Sequence, residues 1–462
     1  MQMILMKKNI LKLVLYATLF SLHAANASNL IFAPANFSFD LGTAVFIDFI
    51  KVDYKIEFDG LTSKAKAVTT IHFTQEKEGY PLFDLVANPT SIAIDGQLVA
   101  QRLIEPPGKK THYRVILKKL LPGAHQLIVE QPYDTDVEFR DGGVASAFFF
   151  IDWNDRSYIE QYLPSNLEYD QYESHLTIEF KNMTKGSADH DVFTNGNVTI
   201  INASTLQIAF PKFYNCASFY FQMAPKGTFV SVMQNYTSID GRSIPITIFS
   251  KKPRMNLEAF MKKTGEVLQE LETDYGAFPH EKVVIYASDN GGRPGLGGME
   301  YSGATISAYS ALDHELFHSY HARSLAPADG NSGWMDEAIA SWRDAKYRER
   351  FTRQISTNMA GRNPYIRYIG MEPYDEGEKF MENLAAKATQ RGLSLKTFLK
   401  NYFQNRKYTV VNTTIFKNDL ESYLGLDLTS DFDIWVYGKG TQRKRSKSDS
   451  RKMIPLDRAA LL

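Results

Sequence analysis

His314-Glu315-Leu316-Phe317-His318 sets two imidazoles four residues apart in a segment with helical periodicity. At ~100° per residue, positions i and i+4 fall within about 40° of each other, so both rings share one face. That spacing suits two nitrogens on one zinc ion. Glu315 beside them suits a general base acting on a metal-activated water. The pattern alone also fits a helix with two surface histidines and a salt-bridged Glu. A catalytic zinc site needs a third protein ligand and keeps its fourth position for water. Glu337, in Trp334-Met335-Asp336-Glu337-Ala338, follows His318 after eighteen intervening residues. That is enough chain for a turn that folds a second helix across the first and presents a third ligand. The plainer reading of Glu337 is a solvent-facing helical Glu.

Upstream stands Gly297-Gly298-Met299-Glu300-Tyr301. Glycines let another backbone approach closely. If this run is a sheet edge beside the histidine helix, an extended peptide could add to it as a strand. Glu300 would then meet the free α-amine of that peptide. A plain glycine turn before a strand is the alternative.

These side chains need a scaffold, and the pattern along the chain supplies one in two parts. From about 45 to 250 the sequence alternates in short β-rich runs, at 52–58, 67–73, 112–117, 175–180, 197–201 and 244–249, separated by turn residues such as Asp59-Gly60 and Asn195-Gly196. This predicts a domain of antiparallel strands. Near 254 the character changes. Asn256 to Tyr275 is amphipathic at helical spacing, and Val283 to Tyr286 is a short buried strand. Two helices follow at about 308–323 and 334–350, and the pattern stays mostly helical from 375 to about 424.

The series GGMEY…HELFH-x18-E closely resembles the aminopeptidase N family of gluzincin zinc metallopeptidases, with its G-x-M-E-N and HExxH-x18-E motifs. Tyr275-Gly276-Ala277-Phe278-Pro279 and Asp431-Phe432-Asp433-Ile434-Trp435-Val436-Tyr437-Gly438 resemble the family's flanks, so the resemblance spans about residues 45–437. It implies a multidomain α and β protein. A signal peptide (1–27) precedes an N-terminal antiparallel β-domain, saddle- or sandwich-like (28–242). A thermolysin-like α+β zinc peptidase domain (243–437) and a basic, disordered tail (438–462) complete it. The family's helical C-terminal domain is expected to be missing. Pro373-Tyr374-Asp375-Glu376-Gly377 resembles the family's Tyr-x-Lys-Gly segment, whose Tyr stabilises the oxyanion; Tyr368 or Tyr365 would be the fallback. Three departures stand out: Tyr301 for the usual Asn, Ala338 for Gly after the third ligand, and Glu376 for Lys. The N-terminal domain of the family also lends a polar residue to the amine site, and near Asp152-Trp153-Asn154-Asp155 the sequence does not fix which.

The implied assignment is one zinc ion on His314, His318 and Glu337, with Glu315 and Tyr374 catalytic. Gly297, Gly298, Met299 and Glu300 would bind substrate. The activity is removal of the N-terminal residue from peptides. A zinc endopeptidase on the same site, or a non-catalytic peptide-binding protein on a peptidase scaffold, are the competing readings.

Composition narrows the setting. The chain has 462 residues, with 52 Lys and Arg against 52 Asp and Glu, which favours neither nucleic acid nor a very acidic partner. A single cysteine, Cys216, excludes an intrachain disulfide framework and a cysteine-built zinc site, and reads as a buried small apolar residue. Lys7, Lys8 and Lys12, an apolar run from Leu13 to Leu22 and Ala25-Asn26-Ala27 read as a secretory leader, too short in its apolar part to span a bilayer. No apolar run of spanning length follows, so the expectation is an exported protein, periplasmic or secreted, without a stable membrane span. The last residues, with Arg443, Lys444, Arg445 and Lys447 among them, form the solvated basic tail.

Overall fold

The computed structural model describes residues 29–108, 111–149, 160–289, 297–360, 363–365 and 370–439. The expected leader, the Asp152 to Asp155 stretch, Tyr368 and all but the first two residues of the basic tail lie outside the described residues.

Period-two alternation builds the first half. Strands Asp48–Asp59 and Lys64–Gln75 pair antiparallel over almost their whole length. Every second residue, among them Val52, Ile56, Ile71 and Phe73, is buried. They sit in the middle of an eight-stranded sheet flanked on one side by Glu173–Lys181, Thr205–Phe210 and Asn197–Asn202 and on the other by Gly123–Pro132, Ser91–Ile94 and Gln97–Leu98. The antiparallel expectation fails at two junctions of this half: the short pair Gly42–Val45 with Tyr80–Phe83, and the centre of the large sheet, where Glu173–Lys181 runs parallel to Asp48–Asp59. A parallel neighbour needs a long crossover. In the large sheet the intervening chain provides it, adding Lys64–Gln75 and Gly123–Pro132 to the same sheet and contributing Val137–Arg140 and Gly143–Phe149 to a four-stranded sheet that the later strands His190–Thr194 and Tyr220–Pro225 complete.

The second half is built on a five-stranded sheet in the order Val230–Thr237, Ser243–Ser250, Val283–Ser288, Ala304–Ala308, Gly298–Tyr301. The expected boundary after residue 242 falls in the turn of the first hairpin of this sheet, and strand pairing puts Val230–Thr237 with the second half. Ser243–Ser250, Val283–Ser288 and Ala304–Ala308 run parallel. The glycine-led strand Gly298–Tyr301 closes that edge antiparallel, with Glu300 opposite Thr305.

Seven helices are described in this half: α1 (Leu257–Tyr275), α2 (Leu312–His321), α3 (Trp334–Asp344), α4 (Glu372–Gln390), α5 (Leu395–Arg406), α6 (Thr413–Leu424) and α7 (Thr429–Trp435). The Asn256 side chain caps α1 by accepting from Ala259 N. Glu272 near its end is a buried hub. Its carboxylate accepts from Tyr236 Oη at 2.8 Å, Ile239 N at 2.9 Å, Phe278 N at 2.8 Å and the Ser238 hydroxyl, tying the first hairpin to the helix. Helix α3 stops at Asp344, earlier than the sequence suggests, because Lys346 and Tyr347 take positive φ of 60° and 54°. Trp334, Phe380, Phe416, Phe432 and Trp435 form the aromatic centre of the helical layer.

The two halves share a core. Phe193 stacks on Phe249 with ring centroids 3.7 Å apart, and Cys216, Tyr220, Tyr286 and Ile306 pack around them. Asn195 Nδ2 donates to Ser218 O at 2.6 Å and Ser302 O at 2.8 Å. A second tie reaches the segment just before α4. Tyr365 packs against Phe37, Phe46 and Tyr113. It donates its hydroxyl to Ala35 O at 2.8 Å and accepts at its carbonyl from Tyr113 Oη at 2.6 Å.

Helices α3 and α4 meet through very small residues. A Cβ placed on Gly377 would lie 2.6 Å from Ala338 Cβ and 3.0 Å from Ala338 Cα. The extra methyl of Ala338, a departure from the resembled family's glycine, is thus accommodated by Gly377 across the interface. Gly377→Ala should destabilise the fold by about 1–3 kcal/mol through overpacking, read as a lowered midpoint in urea unfolding.

Candidate metal centre

Helix α2 carries His314, Glu315 and His318, and α3 carries Glu337. The connection between them is pinned by Leu325–Pro327 pairing with Thr409–Val411 and by Asp329, whose side chain accepts from Asn331 N at 3.1 Å. Trp334 Nε1 donates to Thr413 Oγ1 at 3.0 Å and fixes the start of α3. The expected crossing of the two helices results. His314 Nε2 lies 3.1 Å and His318 Nε2 lies 3.7 Å from the same oxygen, Glu337 Oε2. One ligand atom from each of the three residues falls within 4.8 Å of the others. Glu337 is buried and is not the solvent-facing glutamate of the plainer reading.

The far nitrogen of each ring is also held. His314 Nδ1 stands 2.6 Å from Asp344 Oδ2, and His318 Nδ1 is ion-paired with Asp336 Oδ1. These carboxylates turn each ring so that Nε2 faces Glu337 and would keep a proton on Nδ1, so that the Nε2 lone pair becomes available to a metal when the ring gives up its other proton. Sequence reasoning assigned neither. Asp344 carried a signal all the same: it lies seven residues after Glu337, close to two helical turns, and so shares its face. Asp336 is adjacent to Glu337 and carries no periodic signal.

Two nitrogens and a carboxylate oxygen in one small set is a donor chemistry that suits zinc. The buried Glu315 Oε2, without a hydrogen-bond partner among the described residues, adds a polar atom waiting for a bound species. With protein groups alone setting the field, burial pushes the Glu315 carboxyl up to about 8, a rise that Glu300 and Glu337 reinforce and both imidazoles oppose. Burial works against the charged form of His318, yet Asp336, Glu300 and Glu337 outweigh it and raise the ring to about 10. His314 likewise rises well above the usual range against its own burial, through Asp344 and Glu337. Glu337 falls to about 2 because His318 and His314 overcome the burial that would raise it. The cluster is a compact set of protonated rings and carboxylates, in which a divalent cation can replace the protons.

Tyr374, near the start of α4, reaches the same place. Its hydroxyl donates to Glu337 Oε1 at 2.6 Å, and its ring lies nearly parallel to His314 with centroids 6.4 Å apart. Tyr365 is elsewhere, in the aromatic cluster that ties the first half to the segment before α4.

The edge strand lies directly on α2. A Cβ on Gly298 would stand 2.7 Å from Glu315 Cγ and 2.3 Å from Ile306 O, so no side chain fits there. Gly297 is nearly as close, with Glu315 Oε1 3.3 Å from its notional Cβ. Glu300 points to the same side, and Glu300, Glu315 and His318 offer ligand atoms within 4.8 Å of one another. Met299 does not face the cleft. Strand alternation turns it to the other side, where it is 1 % exposed and packed with Tyr286 and Ile306. Of Met299, therefore, only the backbone lies on the edge strand beside the cleft. Tyr301 faces the same core, its ring 5.2 Å from that of Tyr220. A residue that sequence reasoning passed over also stands here. Arg323, just past the end of α2, ion-pairs through Nη2 with Glu300 Oε1 and donates from Nε to Glu300 O at 3.3 Å.

No family model matches the chain, and no curated protein matches it. Solved structures do. An M1 zinc metallopeptidase from Deinococcus radiodurans aligns at 14% identity with a TM-score of 0.59, over 86% of this chain and 95% of its own. Yeast LTA4 hydrolase, solved with bestatin, aligns at 14% identity and 0.59, over 87% of this chain and 69% of its own. Legionella pneumophila aminopeptidase A, solved with aspartic acid, aligns at 13% and 0.61, over 85% of this chain and 49% of its own. The chain has the M1 aminopeptidase-like fold, with an N-terminal β-domain followed by an α+β domain.

Two outcomes are expected. Asp336→Asn or Asp344→Asn should each weaken zinc binding about 10–100-fold, measured by competition with a chromophoric chelator. Zinc uptake should release protons, since both rings hold them more tightly than usual. Calorimetric titrations in two buffers of different ionisation enthalpy report that release, and the apparent affinity should climb as pH is raised toward the His318 value of about 10.

Proposed function

We propose that this chain is a zinc-dependent aminopeptidase that hydrolyses the N-terminal residue from peptides, with one ion held by His314, His318 and Glu337. The observation that carries this reading is the convergence of those three donors beside a buried glutamate and a glycine-led sheet edge. A zinc ion bound there supplies Lewis acidity, which acidifies a water and polarises a carbonyl. The chain's own residues do the rest. Glu315 receives the proton of the attacking water at its carboxylate and passes it to the leaving amine. The Tyr374 hydroxyl, which already lies in the cluster, turns from Glu337 to donate to the oxyanion that develops on the carbonyl. The backbone of Gly297 and Gly298 lies against Glu315 and holds an extended peptide along the edge strand. Glu300, two residues further on, stands at the side where the peptide's amino end arrives. Asp336 and Asp344 keep both imidazoles in register throughout.

Export to the periplasm or the medium completes the proposal and rests on the leader pattern over residues 1–27. Among the described residues no helix is long and apolar enough to cross a membrane.

The test is hydrolysis of free-amine aminoacyl reporters and matched N-acetylated peptides by the zinc-loaded chain. Chelator-sensitive release is expected and should vanish in Glu315→Gln while zinc stays bound. Cleavage of blocked peptides alone would shift the reading to an endopeptidase. Silence on both sets with metal bound would leave a non-catalytic peptide-binding scaffold. Tyr374→Phe should lower kcat by about 10²–10³ with KM little changed, the signature of a lost oxyanion donor.

A further inference from the structure

We infer that Arg323 is a specificity-determining residue which weakens the preference of this site for a free α-amine, so that peptides with a neutral, acylated end are accepted alongside free-amine ones. The inference rests on the proposed peptidase reading of the centre, and within it on the Glu300–Arg323 pair. Arg323 is placed by the end of α2, where its N–H donates to His318 O at 2.9 Å. The Ser302 hydroxyl reaches the Arg323 carbonyl at 3.4 Å. From this fixed base the guanidinium holds Glu300 twice, Nη2 on Oε1 and Nε on the backbone carbonyl. The two side chains are 5 % and 6 % exposed, so neither charge is screened by bulk water.

An incoming α-ammonium would meet a carboxylate that already has a cation on it. The attraction of Glu300 and the repulsion of Arg323 act over similar distances in a poorly screened site, so they largely offset each other. Displacing Arg323 would leave a buried guanidinium without its partner, which is more costly than the new contact is favourable. A neutral amide end meets no such repulsion. The carboxylate thus fixes the strand and the arginine rather than acting as a full negative anchor, and selection between charged and neutral ends passes to Arg323.

The test measures binding apart from turnover. In the zinc-loaded Glu315→Gln chain, L-leucinamide and N-acetyl-L-leucinamide are titrated by calorimetry. Adding Arg323→Gln should tighten the free-amine compound by about tenfold or more, with the acetylated one unchanged within about threefold. Arg323→Lys, which keeps the charge, should stay near the parent for both. Equal free-amine affinity with and without Arg323→Gln, including no detectable binding in either, overturns the inference. If Arg323→Gln loses cooperative unfolding or zinc, Glu300→Gln with Arg323→Gln removes both charges together. That pair should bind the two amides within about threefold of each other, and a retained free-amine preference overturns the inference. Hydrolysis by the wild-type chain is scored separately. A changed binding ratio without hydrolysis supports the role of Arg323 and removes the peptidase reading, and the reverse pattern removes only the role of Arg323.

Discussion

The site depends on one carboxylate oxygen, Glu337 Oε2, facing two imidazole nitrogens where little water enters. Three like-directed donors repel one another unless something positive lies between them. The chain meets that need with protons on the rings and carboxylates behind them. The same arrangement prepares the donors for a divalent cation, since each ring is already turned and held. Most of what surrounds the cluster follows from keeping α2 and α3 at this distance. The pinned turn, the Trp334–Thr413 bond and the close fit of α3 on α4 all serve it.

Much of this was legible in the sequence, and the reasons are physical. Spacing of four along a helix is a strong constraint, so His314 and His318 could be paired from sequence alone. Glu337 followed from the length of chain needed to reverse direction. Period two marked the strands well enough that five of the six expected runs lie within observed ones, and the sixth, 112–117, overruns Tyr113–Ile116 by one residue at each end. What stayed hidden depends on contacts between segments far apart in sequence. Asp336 and Arg323 act on partners that local periodicity does not reveal. The parallel junction beside Asp48–Asp59 depends on what a long intervening stretch does. Motif order alone does not tell that the Met299 side chain turns into the shared core, which strand alternation sets apart from the face of Glu300.

The edge strand shows how tightly one feature can constrain another. Gly298 leaves room for Glu315, and Glu315 fills that room, so the glycine and the glutamate form a single packed unit. Glu300 sits on the same face two residues on, while Met299 and Tyr301 anchor the strand's other face to the shared core. The first half of the chain therefore reaches the centre through packing behind this strand.

Tyr365 adds a constraint of a different kind. Its hydroxyl meets a carbonyl 330 positions earlier, near the beginning of the described chain. Contacts of such long range form late, because the entropy of closing the loop must be met first. During synthesis the helices that carry His314, His318 and Glu337 emerge before the segment that leads into Tyr374 can dock on the first half. Tyr374 can then join the cluster only after that docking, and the strand Thr409–Val411 that pins the connection between α2 and α3 emerges later still. A nascent chain holding His314, His318 and Glu337 would still lack the completed cluster, so the order of synthesis also sets the order in which the centre is assembled.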